Sequence, residues 1–375
     1  MPDESKNTLN YLLIIANSGR LLAQAAQNAG VKPLVIDLYA DCDTQGLCAD
    51  WRQVPSLAQT HLQPALNYFL DLYPVQQAIY GSGFEYHQES LLYLNTRITV
   101  LGNSPVTFKK LQNKSAFFKV LDHLNVPYPE TTFKQPKHIE NWLVKPIHSQ
   151  GGVGIKRYQV SDLANNAVYW QKYQPGTPHS VLFLADGKNI QIIGFNHQWT
   201  TNFSETDEFL FSGIINHTKL SNKQKQLITQ WLTKIVPIFK LKGLNSLDFI
   251  QSGKQCWLLE INPRPSASMQ LYSADLLNRH IQATQGKLVD YSNKLTGYTA
   301  YQVIYAPETV TIPTYFDWPI TCVDRPVSGV TCRKGQPICS MIAHHNTPER
   351  VFEQLQITQQ LIFHQLQLGP ISHGI

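Results

Sequence analysis

Apolar positions in the first hundred residues come as short unbroken runs separated by amphipathic stretches. Tyr11 to Ala16 and Val31 to Leu38 are runs of strand length, and between them Leu21 to Ala29 repeats apolar residues at helical spacing. Asn28-Ala29-Gly30 closes that stretch with Gly after the last periodic residue, a common helix stop. Val75 to Tyr80 runs into Gly81-Ser82-Gly83, and Ile98 to Leu101 into Gly102-Asn103, which adds two further strands. This rhythm predicts an α/β domain with an open parallel sheet over residues 1–108.

The pattern changes at Asn113. Ser115 to Leu124 carries Phe117, Phe118, Val120, Leu121 and Leu124 at helical spacing and stops before Val126-Pro127. Trp142-Leu143-Val144 reads as a strand entering the glycine-rich stretch Ser149 to Gly154. Val181 to Ala185 and Gln191 to Phe195 flank Asp186-Gly187 as a hairpin would. Gln224 to Phe239 predicts a long amphipathic helix, and Leu247 to Gln251 with Gln255 to Ile261 a second strand pair across Ser252-Gly253-Lys254. The last ninety residues are rich in Val, Ile, Thr, Tyr and Pro, with strand-like runs at Ala300 to Tyr305 and Ile338 to Ile342. A helix from Pro348 to Leu366 ends the pattern. A middle domain over 109–284 and a β-rich closing domain over 285–375 are expected.

A length of 375 residues exceeds what one core usually serves, which agrees with several domains sharing clefts. The formal charge of +5 is spread out, and its densest spots, Lys109-Lys110 and Lys223 to Lys225, are too short for a nucleic-acid surface. No nucleic-acid partner is expected. Six cysteines without a CxxC pair read as reduced thiols, and Met1 to Lys6 lacks the marks of a signal peptide. No apolar run approaches 18 residues, so no membrane partner is expected and a cytoplasmic location is.

The strongest chemical signal is Leu258-Leu259-Glu260-Ile261-Asn262-Pro263-Arg264-Pro265-Ser266, taken with Leu247-Asp248-Phe249. Singly, Asp248 and Glu260 would pass for solvated hairpin residues. Together, on neighbouring strands facing one cleft, they and Asn262 supply the oxygens that Mg²⁺ takes when it also holds phosphates. Arg264 stands where a forked cation would neutralise a phosphoryl group in transfer.

This constellation resembles the ATP-grasp superfamily. The resemblance implies an ATP-grasp fold, α/β and α+β in class, with an N-terminal Rossmann-like preatp domain and a C-terminal β-rich extension. Its small lobe would cover about 109–180 and its large lobe about 181–284. It also implies metal ligands Asp248, Glu260 and Asn262, catalytic Arg264, and the cofactors ATP and Mg²⁺ or Mn²⁺. Lys114 and Lys145 resemble the two nucleotide-contacting lysines. Ser149, Gln150, Gly151, Gly152 and Gly154 resemble the loop closing over the phosphates, where glycine lets the backbone approach. Gln171, Lys172 and Tyr173 match the hinge that meets adenine. An acidic residue often stands there and is missing here, as is a ribose-binding carboxylate near Pro178. His148 beside the loop has the wider choice of touching a substrate or facing solvent, His344-His345 reads as surface, and Asn196-His197-Gln198-Trp199 has no assigned role.

The implied activity is a carboxylate–amine ligase that passes through an acyl phosphate, acting on a small carboxylic acid and an amine. Asp37 to Asp41, Gly81 to Glu85 and Asp324 to Gly329 resemble segments of tyramine–glutamate ligase-like proteins of methanofuran-type cofactor synthesis. A biotin-carboxylase-like enzyme forming carboxyphosphate and a non-catalytic nucleotide-binding module are the alternatives. A P-loop and a G-x-G-x-x-G dinucleotide fingerprint are both absent. Oligomeric state, a homodimer included, is left open.

Overall fold

The computed structural model describes residues 10–138, 140–159, 167–202, 208–272, 275–291 and 296–369. The signal-peptide reading of Met1 to Lys6 lies outside them. Strands Tyr11–Ile15, Lys32–Asp37, Asp50–Gln53, Gln77–Tyr80 and Thr99–Leu101 form a parallel sheet in which Tyr11–Ile15 is central. Leu12 to Ile15 are all fully buried because both faces of the sheet are covered. Leu13 and Ile15 pack toward helix Gln59–Leu72, and Leu12 and Ile14 toward helix Arg20–Asn28.

A second, antiparallel sheet of eight strands dominates the remainder. Its order is Gln255–Asn262, Lys242–Ser252, Thr177–Asp186, Ile190–Thr201, Leu210–Ile215, Tyr298–Tyr305, Pro337–His345 and Cys322–Val323. The two predicted hairpins are thus neighbours in one sheet, and the closing strands extend it through the pairing of Leu210–Ile215 with Tyr298–Tyr305. Helix Asn222–Phe239 starts at a capping box of Ser221 and Gln224, which satisfies two of the orphan donors of its first turn. It lays Ile228, Trp231, Leu232, Ile235 and Val236 on one face of the sheet. At about 1.5–3 kcal/mol per buried side chain, this stripe holds the helix in place.

The opposite face of the large sheet meets the N-terminal domain through helix Leu276–Thr284, which packs on helix Arg20–Asn28. Leu182, Leu184 and Leu244 share a core with Leu12, Ile14, Leu276 and Leu277. A small sheet of four strands, Thr131–Thr132, Val168–Lys172, Trp142–Pro146 and Lys156–Arg157, sits over its own cluster of Trp142, Val144, Tyr158 and Trp170. Helix Lys114–Leu124, capped by the Asn113 side chain, joins the core under the large sheet. None of the helices among the described residues is long and apolar enough to cross a membrane.

Candidate active site

Asp248 and Glu260 are direct partners across the antiparallel strands Lys242–Ser252 and Gln255–Asn262. Alternation along the first of these sends Leu247 and Phe249 into the core and turns Asp248 to the other face. Two carboxylates placed so repel each other, and their neighbours answer that repulsion. Lys114 Nζ donates to Glu260 Oε2 at 3.2 Å, and Asn262 Nδ2 donates to Asp248 Oδ2 at 2.9 Å. Burial, reinforced by the charge of Glu260, pushes Asp248 up to about 7. Burial would raise Glu260 too, but Lys114 and Lys145 outweigh it and hold that carboxyl below its ordinary value. Asp248, Glu260 and Asn262 offer a hard divalent cation the oxygen donors it prefers, so this donor set fits magnesium.

Lys145 reaches the same place from strand Trp142–Pro146. That strand buries Trp142 and Val144 on one side, while Lys145 Nζ donates to Gln171 Oε1 at 3.0 Å on the other. Burial lowers Lys145 to about 8, with Lys114 adding to the effect and Glu260 opposing it. Gln171 in turn donates through Nε2 to Thr131 Oγ1 at 3.0 Å. Its side chain therefore orients a lysine, a link that the hinge reading did not contain. The Lys172 ammonium points away, to the Glu140 carbonyl at 3.1 Å and over the Trp142 ring. Tyr173 lies against Arg157 and Phe209. The backbone N–H groups of Lys172 and Tyr173 are engaged by the carbonyls of Glu130 and Asn141.

The stretch Ser149 to Gly154 is a turn in which Gly151, Gly152 and Gly154 have φ of 61°, 79° and 73°. Such angles disfavour any side chain. The loop is moored to the large sheet because Phe211 N–H donates to the Gly151 carbonyl at 2.8 Å. A methyl group on Gly152 would also collide with the Phe209 carbonyl oxygen. His148 is exposed and lies 3.4 Å from Gln88 Nε2. His344 and His345 are exposed, as expected.

Arg264 is not a free cation. Its Nε donates to Glu85 Oε1 at 2.7 Å, and Glu85 is almost wholly buried while also accepting from Gly83 N–H at 2.8 Å. Asn103 fixes the turn that carries Arg264, since its Nδ2 reaches the Pro263 carbonyl at 3.0 Å and Asn245 Oδ1 at 2.7 Å. Its Oδ1 accepts from Lys242 N–H at 2.8 Å. By sequence alone, Gly102-Asn103 marks only a strand end.

Asn196-His197-Gln198-Trp199 also takes on a role. The strand runs on to Thr201, so Asn196 and Gln198 face the cleft while His197 and Trp199 face the other way. Gln198 Nε2 lies 3.4 Å from Asp248 Oδ1, and Asn196 bonds Ser180 and the Tyr272 hydroxyl. Extending the hairpin strand beyond Phe195 would have revealed this alternation.

Beyond Arg264 opens a cavity of about 690 Å³ between the N-terminal sheet, the glycine loop and the closing segment. Arg20 crosses its floor, donating to Asp324 Oδ1 at 2.8 Å and to Gln270 Oε1 at 2.9 Å. Arg325 pairs with Asp43 beside it. The three segments Asp37–Asp41, Gly81–Glu85 and Asp324–Gly329 therefore gather around one space. All six cysteines are free thiols.

Residues 111–268 match the family model described as ATP-grasp domain. The chain is 22% identical over 251 residues to the carbamoyl phosphate synthase large chain of Thermoanaerobacter pseudethanolicus, covering 57% of this chain and 22% of that one. It thus spans about a fifth of that relative's length. Among solved structures it is similar to the biotin carboxylase domain dimer of the Hydrogenobacter thermophilus 2-oxoglutarate carboxylase, in complex with MgADP and bicarbonate. The TM-score is 0.72 at 15% identity, covering 92% of this chain and 89% of that one. The L-amino acid ligase of Bacillus licheniformis gives 0.69 at 13% identity, over 94% and 97%. The chain has the ATP-grasp fold, and residues 111–268 are where it matches the ATP-grasp domain model.

Proposed function

We propose that the protein is an ATP- and magnesium-dependent ligase that joins a small carboxylic acid to an amine through an acyl phosphate. The observation that carries this reading is the register pairing of Asp248 with Glu260, flanked by Asn262 and Lys114. Asp248, Glu260 and Asn262 would hold the magnesium, which when bound supplies charge neutralisation at the phosphates. Lys114 and Lys145 would meet the nucleotide phosphates, and Ser149, Gln150 and the glycines after it would cover them with backbone N–H groups. Lys145 is held in position by Gln171. Gln171, Lys172 and Tyr173 would border the adenine.

In the first step an oxygen of the acid attacks the γ-phosphorus, and the bond from that phosphorus to ADP breaks. Arg264, oriented by Glu85, would stabilise the charge spreading over the transferred group. The amine nitrogen then attacks the acyl carbon, the bond from that carbon to phosphate breaks, and phosphate and a proton depart. A loop moored at Phe211 is suited to excluding water from the intermediate.

A carboxyphosphate-forming enzyme has equal support from likeness of fold, and a fold alone does not choose between chemistries. The cavity beside Arg264 has room for a substrate larger than bicarbonate, which both readings can use. ADP release measured across a panel of acids and amines tests the choice. The panel would include glutamate with tyramine, the pair suggested by the resemblance to tyramine–glutamate ligase-like proteins. Release that needs both partners supports the ligase. Release with bicarbonate and no amine would replace it by the carboxyphosphate reading, and binding of ATP without turnover on any pair would leave a non-catalytic module.

A further inference from the structure

Three of the six cysteines, Cys322, Cys332 and Cys339, are buried in one core of the closing segment. Their placement is unequal. Strand Cys322–Val323 forms an edge of the large sheet and pairs antiparallel with Pro337–His345, Cys322 opposite Met341 and Val323 opposite Ser340. Cys339 therefore lies two positions from Met341, on the same face as Cys322 and diagonal to it, where side chains of neighbouring strands meet. The two thiols are in hydrogen-bond contact. Cys332 belongs to another strand pair, Thr331–Cys332 with Val310–Thr311, whose register aligns it with neither. No group of three or more His, Cys, Asp or Glu among the described residues is arranged to hold a metal, so the cluster does not read as a zinc site.

The two thiols also differ in chemistry. Donation from the Cys339 thiol, with Arg325 adding to it, holds Cys322 below its ordinary value in spite of burial, whereas burial pushes Cys339 well above. Cys322 is thus the better nucleophile, and Cys339 the thiol placed to attack it after oxidation. Cys339 lines the cavity beyond Arg264, which gives a small oxidant a way to the pair.

What a bond here would fix comes next along the chain. Asp324 and Arg325 follow Val323 directly and form the ion pairs to Arg20 and Asp43 of the N-terminal domain. The strand presenting them is two residues long and is held by backbone pairing to a single neighbour. A short edge strand of this kind is the part of a sheet that most readily comes away.

We infer that Cys322 and Cys339 form a peroxide-sensitive, reversible disulfide that locks the strand carrying Asp324 and Arg325 onto the large sheet. The Cys322 thiolate attacks one oxygen of hydrogen peroxide, the O–O bond breaks, and a sulfenic acid forms while hydroxide leaves and takes up the proton that Cys322 had lost. The Cys339 sulfur then attacks the Cys322 sulfur, the S–O bond breaks, and the departing hydroxide leaves as water with the Cys339 proton. Two thiols are oxidised and one peroxide is reduced to two waters. An external dithiol reverses the bond by exchange.

The full native chain would be treated with hydrogen peroxide, alkylated with N-ethylmaleimide and digested without reduction. Mass spectrometry is expected to find one cross-linked species joining Cys322 to Cys339, with two of the six thiols lost and both restored by dithiothreitol. The oxidised chain should unfold at a higher urea concentration than the reduced one, because a loop closed between positions 322 and 339 restricts the unfolded chain, and dithiothreitol should cancel the rise. Cys322→Ala and Cys339→Ala should each abolish the cross-link and the rise, while Cys332→Ala, which opens a similar hole in the same core, should keep both. The mapping on the native chain needs no variant, so a variant that fails to fold leaves the test intact. A cross-link through Cys332 or Cys42, six thiols surviving peroxide, or sulfinic acid at Cys322 without a cross-link would overturn the inference. The expected cross-link with an unchanged or lower urea midpoint would overturn the lock.

Discussion

Replacing Glu85 by Gln isolates the contribution of one buried charge to the placement of Arg264. Glu85 is 2% exposed and accepts two hydrogen bonds, from Arg264 Nε at 2.7 Å and from Gly83 N–H at 2.8 Å. Glutamine has the same shape and keeps one acceptor oxygen, so it can serve only one of those donors and leaves the guanidinium without its counter-charge. Breaking one side of a buried pair costs on the order of 3–5 kcal/mol in stability. The pair Arg350–Glu353 has the same 2.7 Å separation but is about half exposed. Glu353→Gln should therefore stay within about 0.5–1 kcal/mol of the native chain. If Arg264 stabilises the phosphoryl group in flight, its misplacement should lower kcat by about a hundredfold while the KM for ATP changes little. Urea unfolding midpoints and steady-state ADP release measure the two effects separately. A Glu85→Gln chain that loses stability but keeps kcat within about twofold would show that the pair is structural only. Loss of neither would refute the burial argument as well.

Glu260→Ala should reduce ADP release by about a hundredfold or more, and unchanged turnover would remove the metal assignment. Gly152→Ala should raise the KM for ATP more than Gly151→Ala. Both have positive φ, but only the Gly152 methyl meets the Phe209 carbonyl, and the opposite order would refute the mooring of the loop. His280 is fully buried, accepts from Leu244 N–H at 2.9 Å and is lowered to about 4 by burial. Its folded pKa lies below the unfolded one, so its contribution is complete above about pH 6.5. That contribution fades as pH falls toward 4, by on the order of 3 kcal/mol at most. Urea midpoints at pH 7.5 and 5 should show this loss, and His280→Gln should lose part of the slope; an unchanged slope would contradict it.

The juxtaposition of Asp248, Glu260 and Asn262, the residues proposed to hold the metal, was legible because one short stretch, Glu260 to Arg264, and one strand, Leu247 to Phe249, carry them in a pattern that local pairing alone brings together. The helices at Leu21, Ser115 and Gln224 and both hairpins were legible from their periodicity, with ends shifted by a few residues. Helix Gln59–Leu72 and the short strand Asp50–Gln53 have no clear sequence signal, since Pro64 interrupts the first, and the second, three half-buried residues followed by an exposed Gln53, shows no alternation. Long-range partners were out of reach. Nothing local to Glu85 announces that it holds Arg264, 179 positions away, nor that Asn103 braces Pro263. Such contacts arise when the N-terminal domain docks on the large sheet through helices Arg20–Asn28 and Leu276–Thr284, an event decided by the core that Leu12 and Ile14 share with Leu182 and Leu244. The same docking joins Arg20 to Asp324 and so creates the cavity.

The most direct test of the central claim follows an oxygen atom. An acid labelled with ¹⁸O in its carboxylate, supplied with ATP, magnesium and an accepted amine, should transfer one labelled oxygen to the released phosphate, read by the isotope shift in ³¹P NMR. Phosphate carrying one ¹⁸O, formed together with the amide and absent with Glu260→Ala, is the result expected of an acyl phosphate made at this site. Amide formation with unlabelled phosphate would contradict the account.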